Sequence, residues 1–199
     1  MKTSYKLLLA FACLPLCVPS NTINADDQKA APAEAAKPIV MKLKTLTLTV
    51  PATWKESDVQ SRMRLTTLDI PAASTDGGKG ELAIFNFAGG GGGLKQNIER
   101  WIGQFGAEGR ESKVVKGKAG DEEYHLLELS GTYNKSVGPP IMRKTEAVKG
   151  YRMLGAIVPI GPDVYYLKMT GPDATIKAAA KDFRKSFGGS SKSEEQIKL

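Results

Sequence analysis

Five consecutive glycines, Gly89 to Gly93, form the most conspicuous candidate site in this chain of 199 residues. They follow an apolar segment and precede a helical pattern, so their backbone N–H groups could receive an anion at a helix N-terminus. The run lacks the Gly-Lys-Ser/Thr ending of a phosphate loop, and Leu94 stands where a dinucleotide fingerprint has its last glycine. The alternative to an anion site is a mobile connector between the apolar segment and the helix, and the weakness of the motif favours it. If the segment binds a ligand, the predicted contacts are Gly91, Gly92, Gly93, Lys95, Asn97 and Arg100.

The helical pattern after the glycines carries both apolar and polar candidates. Trp101 and Phe105 lie on its apolar side, where core packing explains them. Asn97, Arg100 and Gln104 lie near the edge of that side at helical spacing. They could hydrogen-bond a ligand or tie the helix to neighbouring backbone, and we favour the structural role.

Residue types exclude several catalytic centres. His125 is the only histidine, so a multi-histidine metal site is impossible. Ser130 stands at an odd separation in the same predicted strand, so the two side chains point to opposite faces. The run Asp121, Glu122, Glu123 matches no calcium loop and is typical of a solvated turn. We predict no catalytic residue, no metal and no cofactor.

A basic stripe follows the last helical pattern. Lys177, Lys181 and Lys185 recur every four residues, with Arg184 beside them. The stripe could meet an acidic surface, although a solvated helix back is its usual meaning.

The amino end is typical of an export signal. Lys2 and Lys6 form a basic start, and the apolar stretch that follows, residues 7–16, is too short to span a bilayer. Cleavage is predicted after Ala25, with Ser20 as the alternative. We therefore predict a periplasmic or secreted protein with a signal peptide over 1–25 and no transmembrane segment in its mature form.

Composition narrows the function further. The balance of 41% hydrophobic and 25% charged residues is typical of a soluble globular protein. Both cysteines, Cys13 and Cys17, lie in the predicted signal, so the mature chain lacks thiol chemistry. The 28 basic and 21 acidic side chains give +7, or +5 without Lys2 and Lys6. This balance favours an anionic envelope component or an acidic protein as partner, and export argues against nucleic acid.

The chain is predicted to contain one folded domain over 40–187. A flexible leader over 26–39 is rich in Ala, Lys, Glu and Pro, and a disordered tail over 188–199 has few apolar residues. Alternating or doubly apolar patterns predict strands at 46–50, 62–70, 82–88, 124–132, 151–160 and 164–170, with a weaker one at 143–148. Helical spacing appears over 94–105 and 176–187. Six or seven strands with two helices predict an α+β fold, a mainly antiparallel sheet flanked by helices as an α/β/α sandwich.

Several short motifs resemble the PsbP-like superfamily, and more specifically uncharacterised exported bacterial proteins of that fold. These motifs are 97–101 with Gln104-Phe105, Gly131-Thr132-Tyr133, 153–156, and Gly171-Pro172 before the closing helix. The resemblance covers 40–187 and implies an antiparallel sheet between helices. It implies no particular activity, because a shared fold does not supply a site.

We therefore expect an exported, non-enzymatic binding or accessory protein that contacts an anionic ligand or an acidic partner. The alternative is a hydrolase or transferase acting on envelope polymers, which would need carboxylates such as Glu99, Glu128 or Asp69 to converge in one cleft. A purely structural component that assembles through a sheet edge is the third hypothesis.

Overall fold

The structure is a computed structural model, and it describes residues 37–58, 61–75, 77–87, 91–138, 140–142 and 144–199. The predicted signal, 1–25, and most of the predicted leader, 26–36, lie outside the described residues. In the described part the strands are β1 Ile39–Leu43, β2 Leu46–Val50, β3 Lys55–Glu56, β4 Thr66–Ile70, β5 Gly80–Asn86, β6 Glu111–Ala119, β7 Glu122–Ser136, β8 Thr145–Ile160, β9 Asp163–Pro172 and β10 Glu195–Ile197. The α-helices are α1 Leu94–Ile102 and α2 Asp173–Ser186.

An eight-stranded antiparallel sheet forms the centre of the described fold, in the order β10-β6-β7-β8-β9-β5-β4-β3. Strands β1 and β2 pair as a separate antiparallel hairpin. The predicted α+β class with an antiparallel sheet between helices is confirmed. The predicted count of six or seven strands is wrong, since β1, β3, β6 and β10 were not foreseen. These strands are short or, like β6 with its sequence ESKVVKGKA, mostly polar, and backbone pairing holds them without an apolar alternation.

Apolar layers cover both faces of the large sheet. Helix α2 and strand β2 pack on one face, where Phe183 and Leu48 join sheet residues such as Leu154. Helix α1 packs on the other face, where Trp101 contacts the cluster around Met153. The doubly apolar pattern of the central strands therefore reflects two covered faces, as predicted.

Helix α1 approaches the sheet closely because β8 has a glycine beneath it. A Cβ on Gly155 would lie 2.5 Å from Cε3 of Trp101, a separation that packed carbon atoms do not reach. The indole therefore rests directly on the strand backbone, and this contact fixes the height of α1 above the sheet.

The long ribbon of β7 and β8 changes register near its middle. Gly131 pairs with Tyr151, whereas Tyr133 pairs with Val148, so β8 advances one residue more than β7. Gly150 supplies the left-handed backbone at this bulge, with φ 68°. The two predicted strands at 143–148 and 151–160 are consequently one continuous strand, although Arg143 lies outside the described residues.

The carboxyl end is ordered, which corrects the predicted tail over 188–199. Strand β10 pairs with β6, and Glu194 binds Arg184 of α2 through a bond of 2.7 Å from Nε. Arg184 also binds Glu128. The prediction failed because it looked for apolar anchors, whereas a buried ion pair and a backbone ladder hold this segment.

The same contacts correct the predicted basic stripe of α2. Lys177, Lys181 and Lys185 are exposed, as expected, but the Arg184 side chain points inward and is only 7% exposed. The spacing of four residues identified the three exposed lysines. It could not show that the neighbouring Arg184 pairs with Glu128 and Glu194. Among the helices in the described ranges, none combines the length and apolar character needed to cross a membrane.

Candidate ligand pocket

The predicted glycine site is held together by its own polar groups. Asn97 is buried, and its Nδ2 donates hydrogen bonds to the carbonyl oxygens of Gly91, Gly92 and Gly93 at 3.3, 3.3 and 3.0 Å. The backbone N–H of Gly93 donates to the side-chain oxygen of Gln96 at 2.8 Å. Asn97 therefore positions the loop, which is the structural role that we favoured for it. Gly89 and Gly90 lie outside the described residues.

The two cations of the predicted glycine site are exposed on α1. Lys95 lies 3.9 Å from the carboxylate of Glu99, one helical turn away. Burial raises the pKa of Tyr166, and the nearby charge of Arg100 opposes that rise. The structure thus brings the glycines and Asn97 together and leaves Lys95 and Arg100 at the surface. Anion binding at this loop stays a prediction.

The carboxylates that the hydrolase hypothesis requires have different partners. Glu128 pairs with the buried Arg184 on the α2 side of the sheet. Asp69 of β4 lies 4.0 Å from the Lys79 ammonium, and Glu99 belongs to the exposed pair on α1. These contacts place the three carboxylates on different elements, so they do not form a shared acid–base pair.

His125 is an ordinary strand residue. It pairs with Lys116 and Ile157 across the ladder, and its Nε2 lies 3.7 Å from a carboxylate oxygen of Glu123. Burial lowers the pKa of His125, and the charge of Glu123 offsets part of that effect. Among the described residues, no group of three His, Cys, Asp or Glu side chains has a metal-binding arrangement.

A cavity of about 510 Å³ opens beside the end of α1, on the sheet face that this helix covers only in part. Its walls come from β5, β7, β8 and β9, from the residues just before β4 and β5, and from the turn after α1. The described lining includes four basic side chains and a single carboxylate, Glu81; the basic residues are Arg64, Lys79, Lys135 and Lys168. This cavity, called the cationic pocket below, has a marked excess of positive charge.

Backbone pairing fixes the helix side of the cationic pocket. After α1 ends, Phe105 forms a bridge with Tyr133 of β7, and the N–H of Asn134 donates to the carbonyl of Gln104 at 2.8 Å. The N–H of Gly106 donates to the carbonyl of Thr132 at 2.9 Å. The turn is therefore anchored to β7 on both sides of Phe105, and the Gln104 side chain is held over the pocket.

Lys168 is one of three residues that β9 contributes to the wall of the cationic pocket. Strand alternation turns Leu167 and Met169 toward the α2 core and Lys168 toward the opposite face. Its Nζ donates to Oε1 of Gln104 at 2.6 Å and to the hydroxyl of Tyr133 at 3.3 Å. Within the described part of the chain, Lys168 forms no salt bridge. Its hydrogen-bond partners are consequently neutral.

This environment changes the protonation of Lys168. Burial lowers the pKa of its ammonium to about 8, an effect that the charge of Glu81 reduces and that of Arg64 enhances. The half-buried ammonium has neutral hydrogen-bond partners, and the charge of Glu81 compensates its burial only in part. An anion entering the cationic pocket would supply that compensation.

The carboxylate of Glu81 already forms an ion pair with Arg64. The two side chains form a salt bridge of 3.0 Å, with 38% and 25% of their surfaces exposed. Arg64 also donates to the hydroxyl of Thr67 at 3.2 Å and lies 5.9 Å from the ring centre of Phe85. Arg64 is thus held in one orientation at the pocket wall, and its charge is partly neutralised by Glu81.

Two tyrosines give the cationic pocket an aromatic wall. The rings of Tyr133 and Tyr151 stack at 5.7 Å with an angle of 10°, and Phe105 supports Tyr133 from behind at 5.1 Å. The Lys168 ammonium lies 5.5 Å from the ring centre of Tyr133. Burial raises the pKa of Tyr133, so its hydroxyl stays protonated at neutral pH. The wall therefore offers both ring surface and a hydroxyl group.

Sequence reasoning missed most of this pocket. Gln104 was singled out as a side chain that binds a ligand or ties its helix down, and it contacts Lys168. The one further signal was Lys168 itself, a lysine in the middle of an otherwise apolar predicted strand. Arg64 gave no signal, and Tyr133 appeared only in the Gly131-Thr132-Tyr133 motif of the resemblance. Both residues are far from Lys168 along the chain and meet it only through the order of the strands.

Comparisons with known proteins found similar solved structures but no family match. No family model and no curated protein matches the chain. A Pseudomonas aeruginosa protein of unknown function is similar in structure, with 12% identity and a TM-score of 0.42 over 75% of this chain and 92% of that one. The cyanobacterial PsbP of Synechocystis is similar with 11% identity and a TM-score of 0.48 over 84% of this chain and 96% of that one. Neither similarity bears on function.

Proposed function

We propose that this chain is an exported, non-enzymatic binding protein that holds a small organic anion in the cationic pocket. The observation that carries the proposal is Lys168, a half-buried ammonium whose hydrogen-bond partners in the described residues are the neutral groups of Gln104 and Tyr133. An anionic ligand would give this ammonium a charged hydrogen-bond partner. Charge-assisted hydrogen bonds of this kind contribute about 1.5–3 kcal/mol each.

The shape and walls of the cationic pocket favour an anion with a ring-shaped or planar apolar part. A volume of about 510 Å³ is in the range of small-molecule sites. The stacked rings of Tyr133 and Tyr151 offer an aromatic surface, while Lys135 and Lys79 add positive charge. A small ligand fits this enclosure better than the acidic partner protein that the overall charge also allowed.

The proposal includes export because of the basic start and short apolar stretch of residues 1–16. Mass spectrometry of the protein recovered outside the cytoplasm should find a chain that begins after Ala25 or after Ser20. An intact Met1 in that fraction would contradict export through a cleaved signal.

The binding test uses phenyllactate as a probe, because it joins a ring to a carboxylate. Its neutral match is 3-phenylpropane-1,2-diol, in which a hydroxymethyl group replaces the carboxylate. Calorimetry with the protein lacking residues 1–25 should detect phenyllactate at millimolar concentration or below and should detect the diol at least about tenfold more weakly.

Variants show whether phenyllactate binds in the cationic pocket. Lys168→Gln should weaken phenyllactate binding by about tenfold or more, because the positive charge of the Lys168 side chain is lost. Lys118→Gln is the matched control, since Lys118 is an exposed residue of β6 outside the pocket lining and its replacement removes the same charge. No detectable phenyllactate binding, equal binding of acid and diol, or equal losses in the two variants would contradict the proposal.

A further inference from the structure

We propose that Lys168 forms a reversible imine with the carbonyl group of its ligand, so that the pocket takes an aldehyde or 2-oxo carboxylate and holds it covalently. This inference rests on the proposed function, because the carboxylate would be held by the positive charge of the cationic pocket. It goes beyond that function by naming the ligand's reactive group and the bond that forms. The evidence is the position of the Lys168 amine.

The geometry around Lys168 suits a nucleophile better than a purely structural cation. The side chain lines a cavity that opens to solvent, so its Nζ can meet a ligand atom. Its contacts to Gln104 and Tyr133 orient the amine without an ion pair that would keep it protonated. Lysines desolvated in this way and placed near another cation are the ones that form imines with carbonyl compounds.

The charged groups that face Lys168 balance its protonation. Burial, the largest effect, and the charge of Arg64, just before β4, both oppose the ammonium, and together they outweigh the charge of Glu81 of β5, bringing the pKa of Lys168 to about 8. Lys135 of β7 and Tyr151 of β8 also line the cavity. A substantial fraction of neutral amine is therefore present near neutral pH, and most of the population still carries the charge that attracts an anion.

Each step of the proposed reaction balances without an additional reagent. The lone pair of neutral Nζ attacks the carbonyl carbon, and the carbonyl π electrons pass to oxygen, which takes up a proton to give a carbinolamine. The nitrogen lone pair then forms the C=N bond as the C–O bond breaks, and the hydroxyl leaves as water with the remaining proton of the nitrogen. The hydroxyl of Tyr133, 3.3 Å from Nζ, is placed to relay the proton from nitrogen to oxygen. Hydrolysis by water reverses the sequence and releases the ligand.

Trapping with a hydride donor tests the bond directly. The protein lacking residues 1–25 is mixed with phenylpyruvate and sodium cyanoborohydride, and intact mass and peptide mapping locate the reduced adduct. We expect one adduct per chain, on Lys168, forming at least about tenfold faster than adducts on other lysines. The rate should rise with pH up to about pH 8 and level off above it, because attack needs the neutral amine of Lys168 while Arg64, Lys79 and Lys135 still hold the carboxylate.

Two variants of Lys168 and one control variant test whether the adduct forms on this residue. Lys168→Arg and Lys168→Met should lose the adduct, with near-native circular dichroism showing that they fold, whereas Lys118→Arg, at an exposed lysine of β6 outside the pocket lining, should keep the adduct on Lys168. An adduct that forms equally fast on surface lysines, or that persists in both Lys168 variants, overturns the inference. Phenyllactate binding without a Lys168 adduct from phenylpyruvate overturns the imine and leaves the proposed function standing. Failure of phenyllactate to bind counts against the proposed function itself.

Discussion

Replacing Arg184 by Met should destabilise the protein strongly, although the residue lies in a helix that otherwise presents lysines to solvent. Its side chain is 7% exposed and that of Glu194 is 6% exposed, and Nε and Nη2 of Arg184 donate to the Glu194 carboxylate at 2.7 and 3.2 Å. Removing one partner of such a buried pair costs about 3–5 kcal/mol, since the other charge is left uncompensated. In a protein of this size each kcal/mol lowers Tm by about 2–4 °C, so Tm should fall by about 6–20 °C.

The assay is chemical denaturation of Arg184→Met with Lys185→Met as its matched control. Lys185 is the next residue of α2, is exposed, and loses the same charge in the same substitution. The control should change stability by no more than about 0.5 kcal/mol. The double variant Arg184→Met with Glu194→Met should recover most of the loss, because neither member of the most deeply buried pair then carries a charge and the Glu128 side chain, which is 27% exposed, can be solvated. A loss below about 1 kcal/mol for Arg184→Met, or no recovery in the double variant, would refute the assignment of this pair as the anchor of the carboxyl end.

Two further predictions test how α1 and its loop are positioned. Gly155→Ala should lower the free energy of unfolding by about 1–3 kcal/mol, because the new Cβ would meet the ring of Trp101. This loss should be smaller when Trp101→Leu is also present, and additive losses from the two substitutions would contradict the contact. Asn97→Ala should cost about 1–3 kcal/mol and speed amide exchange at Gly91 to Gly93, since their carbonyls lose a buried donor. Lys95→Ala, on the exposed side of α1, should do neither, and equal effects from the two variants would argue against the role of Asn97.

The fold was predictable where one physical signal dominated. Alternation of threonine and leucine identified β2, and the apolar spacing that includes Trp101 and Phe183 identified both helices. Strands β6 and β10 escaped prediction because backbone pairing, which leaves no periodic mark in the side chains, stabilises them. The inward turn of Arg184 escaped for a related reason, since a helical stripe shows which residues share a side and not what covers it.

The cationic pocket could not be derived from local patterns. Arg64, Gln104, Tyr133 and Lys168 belong to four segments that the sheet order brings to one face. The five-glycine run attracted attention because its signal is local. In its described part, the carbonyls of Gly91, Gly92 and Gly93 accept from Asn97, and the N–H of Gly93 donates to Gln96. A lysine within a buried strand was the better indicator, because burying an ammonium among neutral groups requires a compensating partner or a function.

The most direct measurement is an NMR titration of the Lys168 side chain, with and without phenyllactate. The chemical shift of the methylene carbon bonded to Nζ reports the protonation of a lysine. The signal that is missing from Lys168→Arg belongs to Lys168. We expect a pKa of about 8 for Lys168 in the unliganded protein. An anion that binds the ammonium must raise that pKa, so its affinity should be full below pH 8 and fall by up to about tenfold for each pH unit above it. An ordinary lysine pKa that phenyllactate leaves unmoved would contradict the account.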